Sequence, residues 1–172
     1  MPSASLSGNQ TASHETDLLP FDESVGYQIR LTNRLVAKHL QQTIASYEVT
    51  LGMWYFLRAL WHRDGITQRE LSTVVGTQEP TTLSALKSME MKGLVRRVKN
   101  REDRRKVNIY LTPKGQALRE ELLPLAKRVV DEAVEGFSEQ DRAKLLEMLR
   151  NIQNNLLMRL ESESSAMEAG PL

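Results

Sequence analysis

The stretch that most constrains the fold is residues 94–112, LVRRVKNREDRRKVNIYLT. Its two arms have the β-branched and apolar residues that suit a pleated, half-buried surface: Val95 and Val98 on one, Val107 and Ile109 on the other. Asn100 and Asp103 supply turn chemistry between them, so the pattern predicts strands over Leu94 to Lys99 and Val107 to Leu111 joined by a charged hairpin loop. From Arg96 to Lys106 there are seven cations (Arg96, Arg97, Lys99, Arg101, Arg104, Arg105, Lys106) against Glu102 and Asp103, a local charge of +5. The whole chain of 172 residues carries only +1. The basic charge is therefore local, and the acidic residues gather in the carboxyl-terminal third. A hairpin this basic repels itself unless an anion lies near. Solvated loops are the usual fate of charge runs, so what precedes the hairpin decides how it is read.

Before it, Thr67-Gln68-Arg69-Glu70 is a capping-box sequence in which Thr67 can accept from the amide of Glu70 while Glu70 reaches back. It opens a short helix carrying Leu71, Val74 and Val75 that stops at Gly76. A second helix spans Gln78 to Lys92, with Thr82, Ala85, Leu86 and Met89 toward a core and Gln78, Thr81, Ser84, Lys87 and Ser88 on the opposite face. Gly93 closes it where a left-handed residue is needed. Two short helices and a tight turn are a common arrangement, but followed at once by a basic two-stranded wing they read as a winged helix-turn-helix. Such a wing can lie along a phosphate backbone and put a guanidinium into the adjacent minor groove.

Residues 1–22 are polar and small, a mobile tail whose Leu18, Leu19 and Phe21 could dock on a partner subunit. From about Glu23 to Ser46, Val25, Ile29, Leu35, Val36, Leu40 and Ile44 recur at helical spacing, more apolar face than one small lobe can cover. Thr50 caps a helix over Leu51 to His62 that leaves little polar face. Thr112-Pro113 starts another helix, extending to about Gly136 with a bend at Pro124, and Ser138 caps the last one, through Leu160. The fold expected is mainly α with a small β-hairpin wing. A winged helix-turn-helix lobe at 49–112 joins a helical dimerisation region at 23–48 and 113–161, and the end frays over 162–172.

Several classes are disfavoured. With no cysteine, disulfides, thiolate catalysis and iron–sulfur clusters are excluded. His14, His39 and His62 are scattered, so no metal site is expected, and no cofactor motif, nucleophile–base pair or phosphate-binding glycine loop marks an enzyme. No secretory signal and no apolar run approaching the roughly 20 residues of a membrane span is present, so a soluble, cytoplasmic protein is expected. A small-molecule-binding enzyme and a helical interaction module are the readings from other classes, and the second leaves the basic wing unexplained.

The segments ITQRELSTVVG (66–76) and NREDRRKVNIYLTPKG (100–115), with the spacing from Gly76 to Gly93-Leu94-Val95, resemble the MarR family of bacterial winged-helix transcriptional regulators. The wing signature corresponds to Asp103, Arg105, Leu111, Thr112 and Gly115, and the likeness covers about Glu23 to Leu160. It implies a homodimer with intertwined terminal helices that sets two lobes on successive major grooves of a near-palindromic, double-stranded DNA operator. It also implies an Asp103–Arg105 pair that shapes the wing. Gln78, Thr81, Ser84 and Ser88 would then reach base edges, Lys87 phosphate or guanine, Arg104 the minor groove, Arg101 and Lys106 phosphates. Thr67 and Gln68 would present a helix amino terminus to phosphate, unless they form only a capping box.

Regulators of this kind bind small anionic, often phenolic, effectors between the dimerisation helices and the lobe. Arg30 and Arg34, with His39, Trp54, Tyr55, Trp61 and His62, are the candidates here for an aromatic carboxylate or its CoA thioester. Against this, aromatic residues at helical spacing are usually core, and the two arginines can instead pair with acids of a partner chain. The expected function is a repressor released by such a compound, with another signal or an activator role as the alternatives.

Overall fold

The computed structural model describes residues 20–168, with side chains as far as 164, so most of the expected tail at 1–22 lies outside the described residues. In order, the elements are α1 (Val25–Ile44), a single 3-10 turn (Ala45–Tyr47), α2 (Leu51–His62), α3 (Gln68–Val75), α4 (Glu79–Met91), β1 (Val95–Lys99), β2 (Val107–Leu111), α5 (Pro113–Ala133) and α6 (Glu139–Glu168). The predominance of helix with one antiparallel hairpin matches the expected fold class.

Helix boundaries follow from caps. Ser24, Thr50, Thr67 and Thr112 each offer a side-chain oxygen to an amide in the first turn of α1, α2, α3 and α5. The start of α2 has a second cap from another helix. The Gln41 side chain accepts from the Leu51 amide at 2.6 Å and donates to the Val49 carbonyl at 3.4 Å, tying α1 to α2. α5 runs unbroken through Pro124. α6 continues to Glu168, past the point near Ser162 where composition suggested fraying. Glutamate, alanine and methionine in that tail are adequate helix formers.

The core is built around α2, whose Trp54, Phe56, Leu57 and Leu60 are buried together with Ile44, Leu71, Leu86, Met89, Val95, Ile109 and Leu122. The hairpin pairs Val95 with Leu111 and Lys99 with Val107, so its inner face presents Val95, Ile109 and Leu111 to that core. The turn before α3 adds a third edge: Gly65 donates to the Ile109 carbonyl and Ile109 to the Ile66 carbonyl, both at 2.9 Å. Asp64 accepts from the Leu111 amide at 2.9 Å.

Lobe and helical ends join where α5 begins. The Thr112 amide donates to Leu94 O at 3.0 Å and its hydroxyl to Gly93 O at 2.6 Å. Trp61 Nε1 donates to the Gly115 carbonyl at 2.9 Å. A side chain at Gly115 would overlap the Leu94 carbonyl oxygen, so only glycine lets α5 lie this close to β1. α6 is different. None of its described side chains is buried, and Leu145, Leu146, Met148, Leu156, Leu157, Met158 and Leu160 are all exposed.

Replacing Gly115 by Ala should destabilise the fold by about 3 kcal/mol, because the obstructing atom is backbone and cannot rotate away. Gly52→Ala, inside α2 with nothing closer than Thr50 Oγ1 at 3.8 Å, should instead raise stability by roughly 0.5 kcal/mol. Urea unfolding of both variants measures this, and equal effects at the two sites would contradict the close-contact account.

Candidate nucleic-acid interface

The outer face of α4 is held in place by a chain of hydroxyls. Ser72 and Thr82, 4 % and 0 % exposed, share a 2.9 Å hydrogen bond across the α3–α4 interface. Thr82 Oγ1 also lies 2.8 Å from Thr77 Oγ1, and Ser72 Oγ donates to the Gln68 carbonyl at 2.9 Å. Between the helices, Gly76 turns the chain at φ +71°. Fully satisfied buried polar contacts of this kind fix one relative orientation where an apolar contact would permit several. The sequence placed Thr82 inward but gave no sign that Ser72 is the buried neighbour of Leu71, while Val74 faces solvent at 66 % exposure.

With Thr82, Leu86 and Met89 buried, Gln78, Thr81, Ser84 and Lys87 are exposed and Ser88 is half-buried. Gln78 is the N-cap position of α4, yet its side chain makes no capping bond. Its amide is left to the outer surface. Glu79 also lies in the first turn, an acid close to this face.

The wing tip is pinned by two acceptors. Asn100 Oδ1 takes the amides of Glu102 and Asp103, both at 2.9 Å, and Asn100 Nδ2 donates to Asn108 Oδ1, whose own amide reaches the Gly65 carbonyl at 2.7 Å. Asp103 then accepts from the Arg105 backbone amide at 3.0 Å and from its guanidinium at 3.1 and 3.3 Å. The Arg105 side chain, followed by its amide, holds the Asp103 carboxyl below the usual carboxylate range. Asn108 was missed by sequence reading, because a single asparagine in a strand gives no sign of a partner more than forty positions away in the chain.

These contacts divide the cations. Arg97 pairs with Glu90 at 3.0 Å, Arg105 with Asp103, and Arg96 lies 4.9 Å over the Tyr110 ring. The exposed side chains of Arg101, Arg104 and Lys106 make no hydrogen bond or ion pair among the described residues, although the Lys106 backbone donates to the Asp103 carbonyl and accepts from the Asn100 amide. A groove of about 700 Å³ runs between the wing and α3, bordered by Gln68, Arg69, Thr73, Arg105 and Lys106. Thr67 borders it too, but its amide and hydroxyl both donate to Glu70 Oε2, at 2.8 and 2.6 Å. The full capping box is formed, which leaves Gln68 rather than Thr67 with groups free toward the groove.

The effector candidates do not converge. Arg30 and Arg34 share a recess of about 140 Å³ with Tyr27 and Leu31. Trp54, 2 % exposed, packs edge-on against Trp61 at 5.7 Å, and neither borders that recess. The burial of Trp54 and half-burial of Trp61 are the ordinary fate of large rings at helical spacing, and the Trp61–Gly115 hydrogen bond fixes the second ring. Tyr55 and His62 are exposed on α2, and His39 is hydrogen-bonded to Glu132 at 2.6 Å, between α1 and α5. Among the described residues no three His, Asp or Glu side chains are grouped to hold a metal, and no helix is long and apolar enough to cross a membrane.

A rigidly oriented polar helix beside a pinned basic hairpin defines a winged-helix protein of the nucleic-acid-binding type. The MarR family model matches residues 49–107. The chain is 26 % identical over 141 residues to the HTH-type transcriptional regulator TtmR of Methylorubrum extorquens, covering 82 % of this chain and 71 % of that one. Among solved structures, the transcriptional repressor CouR bound to a 23-mer DNA duplex is 28 % identical with a TM-score of 0.71, over 77 % of this chain and 94 % of that one. Bordetella bronchiseptica BpsR, whose DNA binding is regulated by 6-hydroxynicotinic acid, is 25 % identical with a TM-score of 0.72, over 78 % and 96 %. Over residues 49–107 the chain is thus similar to the MarR family, and the relatives named here are transcriptional regulators.

The capping box predicts an acid dependence. Hydrogen bonds from the Thr67 hydroxyl and then its amide hold the Glu70 carboxyl below its ordinary value of 4.5. A depressed folded value means that this stabilisation is complete above 4.5 and is lost as pH falls through the folded value. The melting-temperature gap between the natural chain and Glu70→Gln should therefore be widest near neutrality and shrink on acidification. A gap independent of pH would contradict the assignment.

Proposed function

We propose that the protein acts as a homodimer that binds a near-palindromic DNA operator and releases it when a small aromatic carboxylate, or its CoA thioester, is bound. The observation that carries the DNA reading is the set of exposed, unpaired cations Arg101, Arg104 and Lys106 on a wing whose tip is pinned beside the polar face of α4. Arg104 enters the minor groove, and Arg101 and Lys106 neutralise phosphates. Gln78, Thr81, Ser84, Lys87 and Ser88 face the major groove. Gln68, and Thr67 where Glu70 yields it, meet phosphate at the start of α3. Asp103 and Arg105 act mainly on each other, setting the shape of the tip.

Residues 49–112 form the DNA-reading lobe in this account, while 23–48 and 113–161 form the dimerisation region. The exposed leucines and methionines of α6, with Val25, Ile29 and Leu35 of α1, supply the surface that a second copy would cover. Two-fold symmetry then places half-sites roughly 10 base pairs apart.

For the effector, support comes from Arg30 and Arg34 on one turn of α1 beside Tyr27, and from BpsR, a relative regulated by an aromatic carboxylic acid. The recess of about 140 Å³ is smaller than the roughly 300 Å³ of most ligand sites. A second chain would have to complete it. The effector must favour a lobe spacing that cannot span both half-sites, and its differential affinity for the two spacings sets the response. CouR, a repressor solved on DNA, supports the repressor sign.

Arg104→Ala should weaken binding to every duplex and lower the salt slope by about 1, whereas Gln78→Ala or Ser84→Ala should relax preference at particular base pairs. Fluorescence anisotropy on an operator selected from a random library measures both, and unchanged affinity for Arg104→Ala would remove the wing from the interface. Aromatic acids and their CoA thioesters, added to the preformed complex, should release DNA from the natural protein but not from Arg30→Ala or Arg34→Ala. Tight DNA binding with no release by any of them would discard this effector class and keep the regulator.

A further inference from the structure

The first half of α4 has no fully buried apolar anchor. Of the residues that α4 buries, Leu86 and Met89 lie in its second half, and only Thr82 lies in the first. Gln78 and Thr81, at that same end, therefore depend for their placement on what Thr82 touches. Its amide donates to the Gln78 carbonyl at 3.0 Å, and its hydroxyl oxygen lies 2.9 Å from Ser72 Oγ and 2.8 Å from Thr77 Oγ1. Ser72 Oγ is in turn 2.9 Å from the Gln68 carbonyl, and the Thr77 amide donates to the Ser72 carbonyl at 2.9 Å.

A hydroxyl has one proton and a carbonyl has none to give, so the proton count fixes the direction of the whole chain. Ser72 gives its proton to the Gln68 carbonyl and then accepts from Thr82, which accepts from Thr77. Every proton is used. No hydroxyl can turn without leaving another unpaired, and Ser72 and Thr82 are both buried, where an unpaired polar group is costly. Apolar contacts are less directional, and cores of suitable volume keep their stability after losing a unique arrangement. A closed polar chain selects one rotation of α4 on α3.

Resting on the DNA-binding reading, we infer that Ser72, Thr77 and Thr82 are positioning residues for base recognition. Their hydroxyl chain fixes the first turn of α4 against the first turn of α3, and with it the base pairs that Gln78 and Thr81 reach. Gln68 ends the chain at the start of α3, so the phosphate-facing end of α3 and the base-facing end of α4 are set together. The three hydroxyls add no charge, so the salt dependence of binding is independent of them.

The test measures stability in urea and, at fixed salt, affinity for a selected operator and for duplexes with one base pair changed. The natural protein should lose roughly 5- to 150-fold in affinity per changed base pair. Thr82→Val keeps the side-chain shape but leaves Thr77 without its acceptor and Ser72 without its donor. Stability and discrimination should both fall, the second at the base pairs that Gln78→Ala and Thr81→Ala relax, with the salt slope unchanged. The triple variant Ser72→Ala, Thr77→Val and Thr82→Val removes every stranded group, so stability should return while discrimination stays lost. Thr82→Ser does the converse: a buried methyl is deleted and stability falls, but the hydroxyl chain and the discrimination persist. Natural discrimination in the triple variant, or a loss in Thr82→Ser equal to that in Thr82→Val, overturns the inference and leaves the regulator intact. A natural protein that binds the selected and changed duplexes alike overturns the DNA reading as well.

Discussion

At the start of α5, Gly115 packs directly under the Leu94 carbonyl, and the rest of the lobe is arranged around that contact. Leu94 O is the acceptor for the Thr112 amide, Gly93 O for the Thr112 hydroxyl, and Gly115 O for the Trp61 indole. The end of α4, both wing strands, α2 and α5 are therefore joined through a few backbone groups that cannot shift independently. Each polar partner there is consumed, and no buried side-chain nitrogen or oxygen among the described residues lacks one. Because α1 is tied to α2 by Gln41 and to α5 by His39, a displacement of the terminal helices reaches the lobe through the same packed elements.

On the hairpin, charge is partitioned. The ion pairs Arg97–Glu90 and Arg105–Asp103 are at least partly exposed, and pairs of that kind contribute little to stability. Their effect is geometric: they fix two of the arginines, while the side chains of Lys99, Arg101, Arg104 and Lys106 have no close ion pair among the described residues. Keeping those cations close together costs repulsion in the free protein, which a polyanion relieves on binding. The polar hydroxyls of α4 add no charge of their own, so in the proposed complex sequence preference and general affinity would reside in different elements.

Local signals were the ones legible from residues alone. The Thr67–Glu70 capping box, the left-handed Gly93, Thr112-Pro113 and the hairpin ends each depend on neighbours within a few positions, and the structure has them where the pattern placed them. The Asp103–Arg105 pair came from the resemblance rather than from the residues alone, and the two side chains do meet, with Arg105 donating to Asp103 at 3.1 Å. What escaped depends on distant partners. Ser72 meets Thr82, Asn108 meets Gly65, and Gln41 caps another helix, and none of these types announces its partner in a single sequence. The α2 aromatics show the limit in the other direction: their composition suits either core or pocket, and only packing separates Trp54 at 2 % exposure from Tyr55 at 39 %.

The account depends most on a second copy. α6 exposes apolar side chains along its length and buries none of those described, and Val25, Ile29 and Leu35 extend that surface onto α1. One winged lobe alone would offer few base contacts, whereas two lobes related by symmetry double the interface and set the half-site spacing. Sedimentation equilibrium of the protein on its selected operator measures the stoichiometry directly. Two chains per duplex, with the free protein already sedimenting as a dimer, is the predicted result; a specific complex of one chain per duplex would contradict the account.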